Sequence, residues 1–162
     1  TIKNYTFYAI TVSYENEDEI HMKLYKSAMV KKESKLNIKN INTTNIFTLV
    51  DLAISTSKIK NNINFTKNYD PSIPEFKLDA SSFIKTLNSV FEVFKNKNNV
   101  ACSILLKIGE YIKIDNIKYS LISVEIVANE ESDFSSLNIK ETNSFIITYD
   151  DSKVTIDLPL IL

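Results

Sequence analysis

Residues 79–94 read Asp-Ala-Ser-Ser-Phe-Ile-Lys-Thr-Leu-Asn-Ser-Val-Phe-Glu-Val-Phe. Phe83, Leu87, Val90, Phe91 and Phe94 recur at i, i+4, i+7, i+8 and i+11, which gathers them on one helical face. Asp79 is a natural N-cap, because its carboxylate can accept from the free N–H groups of the first turn. Lys95-Asn96-Lys97-Asn98-Asn99 ends the helix and puts cations at the negative end of its dipole. Val100-Ala101-Cys102-Ser103-Ile104-Leu105-Leu106 follows at once and has the composition of a buried strand. A long amphipathic helix running into strands is the mark of an α+β domain.

The pattern continues outward. C-terminal to this helix, strands are expected over 100–108, 111–115, 117–127, 138–149 and 153–161. Gly109, Asp115-Asn116 and Asp150-Asp151-Ser152 separate them. Pro159 suits an edge or a strand end. On the N-terminal side, Asp70-Pro71-Ser72-Ile73-Pro74 is a loop, and a short strand is expected near Ile63 to Phe65. Ile46, Leu49, Val50 and Ala53 predict a short helix over about 45–54, capped from within Asn42 to Asn45. Strands are expected at 5–14, 20–26 and 36–41, with the acidic turn Glu15 to Glu19 between the first two. The fold expected is therefore α+β and β-rich, with mostly antiparallel sheet and helices at about 79–94 and 45–54. All of residues 1–162 are expected in one globular domain. The expected core is Phe7, Ile10, Val12, Met22, Leu24, Phe83, Leu87, Phe91, Ile104, Leu106, Ile112, Ile122, Val124, Ile146 and Ile156.

The chemistry is defined mostly by what is missing. All 19 basic residues are lysine, so no guanidinium fork is available for phosphate or carboxylate. A single glycine cannot build a glycine-rich phosphate loop. His21 is the only histidine and Cys102 the only cysteine, which removes disulfides and His–His metal sites. Cys102 reads as a small buried hydrophobe. Three acidic clusters remain: Glu15 to Glu19, Glu130-Glu131-Asp133 and Asp150-Asp151. None matches a calcium loop, and each reads as a solvated turn. The expectation is no catalytic residues, no metal and no cofactor. Net charge −1 gives no global attraction to nucleic acid, although lysines in 31–39 and 58–67 leave a nucleic-acid accessory role open.

In composition, Lys-rich with no Arg and no Trp, the whole chain resembles the ectodomains of spirochaete (Lyme-group) outer-surface lipoproteins. That resemblance implies a non-enzymatic, surface-exposed binding module with a protein partner, tethered to the outer membrane by a lipid outside this chain. The same composition suits an AT-rich virus or phage. In that setting the strand at 153–161 would be an exposed edge that pairs with a neighbouring chain, in the virion or cytoplasm. The β-α-β-β-β reading of 76–127 also resembles half of a sliding DNA clamp. However, its helix carries only Lys85 against Asp79 and Glu92, where a DNA-facing helix would be basic.

Overall fold

The computed structural model describes residues 40–57, 63–137 and 145–162. Strand β1 (Asn42–Thr44) leads into helix α1 (Ile46–Thr56). Strands β2 (Asn64–Tyr69) and β3 (Phe76–Leu78) follow, then helix α2 (Ala80–Val93). Four strands complete the order: β4 (Asn99–Ile114), β5 (Ile117–Ala128), β6 (Ile146–Asp150) and β7 (Lys153–Pro159). This is the expected α+β class. The expected strands at 5–14 and 20–26, with Phe7, Ile10, Val12, Met22 and Leu24, lie outside the described residues. So does most of the strand expected over 36–41.

Local chemistry sets both helices. Asp79 caps α2, its carboxylate accepting from the Ser82 N–H at 3.1 Å and from the Ser82 hydroxyl at 2.9 Å. The Asn45 side chain caps α1 by accepting from the Thr48 N–H at 3.2 Å. The apolar stripe of α2 is fully buried from Phe83 to Phe94.

The main sheet has the order β2-β4-β5-β7-β6. All its pairs are antiparallel except β2 with β4. That parallel pair follows from the connection through β3 and α2, a crossover long enough to carry a helix across the sheet. β1 and β3 form a separate antiparallel pair. Both helices share one core with Cys102, Ile104, Ile122, Val124, Ile126, Val154, Ile156 and Leu158 of the sheet. These residues alternate along their strands, so one face of the sheet receives the helices.

Four details differ from the sequence reading. The strands expected at 100–108 and 111–115 are one strand, interrupted by a bulge between Lys107 and Tyr111. Gly109 sits in that bulge at φ +84°, a left-handed conformation that glycine adopts without steric cost. The strand expected at 138–149 is Ile146–Asp150, and residues 138–144 are outside the described set. Leu106 is only partly buried. Finally, β7 is not an edge: β5 and β6 flank it, because the turn at Asp151 and Ser152 folds β6 along its outer side. The proposed pairing of 153–161 with a neighbouring chain is therefore corrected.

The turns behave as read. Asp115 and Asn116 both have positive φ, as a two-residue hairpin turn needs. Beyond the bulge, Ile112, Ile114 and Leu121 form a second small buried cluster with Tyr119 against it.

Candidate functional site

The end of β5 lies beside the start of β7, because Val127 pairs with Lys153. The chain leaving β5 is stitched to the β6–β7 turn. The Ala128 N–H donates to the Ser152 carbonyl at 2.9 Å, and the Ser132 N–H donates to the Asp151 carbonyl at 2.8 Å. A short 3-10 turn (Phe134–Ser136) follows. Asp133 caps it, accepting from the Ser135 N–H at 2.9 Å. That hydrogen bonding to Ser135 holds the Asp133 carboxyl below the usual carboxylate range.

An open depression of about 520 Å³ results, lined by Ser132, Phe134, Ser135, Tyr149, Asp150 and Asp151. Phe134 forms one wall. It meets the buried Phe94 ring edge-on at 5.8 Å, and the Tyr149 ring at 5.3 Å and 40°. Tyr149 is 61% exposed, so most of its ring faces solvent. The Ser132 hydroxyl oxygen is buried and has no hydrogen-bond partner.

In sequence, Glu130-Glu131-Asp133 and Asp150-Asp151 read as two separate solvated turns. The structure brings them to one pole. The signal was present, since one cluster ends β5 and the other precedes β7, but using it required knowing that β5 and β7 pair. Two lysines offset this charge. Lys97 donates to the Glu131 carbonyl and lies 3.8 Å from the Glu130 carboxylate. Lys153 pairs across from Asp150 in the β6–β7 ladder. Among the described residues no three His, Cys, Asp or Glu side chains form a ready metal cage. A divalent cation here would complete its shell with water and ligand oxygens, as Mg²⁺ usually does.

Two other polar groups lie elsewhere. Asp51 of α1 accepts from Lys67 at 2.8 Å and from the Tyr69 hydroxyl at 2.9 Å, while Tyr69 stacks on Phe47. Burial pushes the Tyr69 phenol up, with Cys102 and Asp51 adding to the effect. Cys102 is buried, as expected, and its thiol is pushed up to about 12, mainly by burial. His21 and the Glu15–Glu19 cluster lie outside the described residues.

No family model matches the sequence, and no curated protein matches it. The fold does have solved counterparts. The histidine kinase AdeS of Acinetobacter baumannii superposes with a TM-score of 0.52 at 9% identity, over 98% of this chain and 92% of that one. A nucleotide-free form of the catalytic domain of histidine kinase ThkA gives 0.51 at 12% identity, over 75% of this chain and 97% of that domain. A second nucleotide-free form of the same domain gives 0.50 at 13% identity. At these identities the likeness is one of fold.

That fold corrects the composition-based expectations. It is the fold of histidine-kinase catalytic domains, which overturns the resemblance to an outer-surface lipoprotein. The expectations of a non-enzymatic module, a virus or phage subunit, a nucleic-acid accessory and a tethered cell-surface location are corrected with it. The physical reason is that lysine-for-arginine usage tracks nucleotide composition and does not specify a strand order. No helix among the described residues is long and apolar enough to cross a membrane.

Proposed function

We propose that this chain is a catalytic domain of the histidine-kinase type, binding a magnesium nucleotide at the depression beside the β6–β7 turn and acting on a protein partner. The observation that carries this reading is the fold correspondence, which spans 98% of this chain and 92% of AdeS. The nucleotide enters through the ThkA structures, which are described as nucleotide-free forms of a catalytic domain. A kinase named for histidine implies a protein side chain as acceptor, and so a protein partner.

The lining residues fit such a ligand in chemical type. The exposed ring of Tyr149 offers a π-face for a base. Ser132 and Ser135 add polar residues to the lining. Asp150 and Asp151 are hard oxygen donors that would hold Mg²⁺. When bound, the metal would neutralise phosphate charge. Among the described residues, Lys97 and Lys153 are cations at this pole. The pole has no arginine, and its segment 129–137 has no glycine. Phosphate beside Glu130, Glu131, Asp133, Asp150 and Asp151 therefore depends on the divalent ion. Catalysis of phosphoryl transfer is mostly positioning and charge stabilisation, so this dependence is a functional requirement.

Titration with a fluorescent ATP analogue tests the reading. Saturable binding is expected with Mg²⁺ and a loss of at least about tenfold in chelator, which corresponds to ~1.4 kcal/mol. Asp150→Asn with Asp151→Asn should reproduce the chelator result, and Tyr149→Ala should weaken binding with Mg²⁺ present. No saturable binding at millimolar analogue with Mg²⁺ would overturn the proposal.

A further inference from the structure

The second face of the main sheet carries a polar group in a place where strands usually bury apolar side chains. Asp157 lies in the middle of β7, directly opposite Ser123 of β5 and Ile146 of β6. Asp157 is 9% exposed and Ser123 is 1% exposed. The Ser123 hydroxyl donates to the Asp157 carboxylate at 2.8 Å. Among the described residues this is the one hydrogen bond to the carboxylate, in a setting shielded from water. Among the described residues the charged groups that act on it are Glu125 of β5 and Lys107 and Glu110 of β4; β6 presents the neutral Ile146. Lys107 is engaged with Glu125 at 3.0 Å. Among the described residues no cation lies within ion-pair distance of Asp157.

We propose that Asp157 and Ser123 form a proton-linked latch between β5 and β7, in which the folded sheet takes up a proton at Asp157 and is held more tightly as the solution becomes more acidic. A buried carboxylate that accepts from a neutral hydroxyl and has, among the described residues, two carboxylates nearby favours its protonated form. Burial is the largest cause, and it raises the group above the ordinary carboxylate range. Ser123 and Lys107 oppose this, while Glu110 and Glu125 add to it. The folded state then binds more protons than the unfolded chain between the ordinary value of ~3.9 and the raised one. Stability is fully present below the ordinary value and is lost as pH rises through the raised value. β7 continues from the turn that carries Asp150 and Asp151, so the latch bears on the strand supporting the depression. It stands independently of any ligand bound there.

The test is the melting temperature of the full chain from pH 4.5 to 8, for wild type, Asp157→Asn and Ser123→Ala. Relative to Asp157→Asn, wild type should lose about 2–4 °C as pH rises through the window. Asp157→Asn lacks the titrating group and should be the more stable protein at pH 8. Ser123→Ala removes the donor that favours the charged form, so its loss should occur at higher pH. Parallel curves for wild type and Asp157→Asn would overturn the latch. If Asp157→Asn does not fold, an unmoved midpoint in Ser123→Ala would overturn it.

Discussion

Phe94, the residue that closes α2, meets Phe134 edge-on at 5.8 Å, and this contact joins the main helix to the chain leaving β5. Phe94 is fully buried, whereas Phe134 is partly exposed. Phe94→Ala should therefore cost about 3–5 kcal/mol, and Phe134→Ala about 1–2 kcal/mol. Urea denaturation measures both. Under the proposed nucleotide site, Phe134→Ala should also weaken binding of the ATP analogue, because its ring is a wall of the depression. Equal losses in the two variants would contradict the burial difference.

Leu87 sits at the centre of the α2 stripe with no exposed surface. Leu87→Ala should lower stability by about 2–5 kcal/mol, through lost burial and the cavity left behind. Leu52 on α1 is 48% exposed and serves as the control. Leu52→Ala should change stability by less than about 0.5 kcal/mol.

Gly109 isolates a backbone effect. A Cβ built there would meet nothing within 4 Å, so a substitution at φ +84° carries conformational strain without a clash. Gly109→Ala should cost roughly 1–2 kcal/mol. Gly109→Asn should cost less, because asparagine tolerates the left-handed region. Thermal unfolding of the two variants checks the order.

Asp70 reports on the acid limb. Its carboxyl is held below the usual range, first by the Ser72 hydroxyl at 2.7 Å and then by the Ser72 N–H at 2.9 Å. The contribution is present above the ordinary carboxylate value and is lost as pH falls through the lowered one. Ser72→Ala should therefore flatten part of the stability loss below about pH 4. Acid titration of the two proteins followed by circular dichroism shows the difference.

Cys102 gives a probe of opening. With its thiol pushed up to about 12 and its side chain buried, it stays protonated and shielded at neutral pH. Alkylation in native buffer should be slow and should accelerate with the unfolding of β4. Lys67→Ala should leave that rate nearly unchanged, because burial is the dominant cause of the shift and Lys67 a lesser one.

Most of what depends on bonds to nearby backbone was legible in the chain, although the Gly109 bulge that makes 100–108 and 111–115 one strand and the flanking of β7 by β6 across a two-residue turn were not. The spacing of Phe83, Leu87, Val90, Phe91 and Phe94, the caps Asp79 and Asn45, and the Asp115-Asn116 turn all act through bonds to nearby backbone, and sequence order fixes those distances. Only the tertiary structure decided which strands lie side by side. The parallel β2–β4 pair, the interior position of β7, the gathering of Glu130, Glu131, Asp133, Asp150 and Asp151 at one pole, and the burial of Asp157 against Ser123 come from residues brought together across long stretches of chain. Strand pairing uses backbone hydrogen bonds common to all sequences. The partner of each strand is thus chosen by the packing of the whole sheet against its helices, which no single segment encodes.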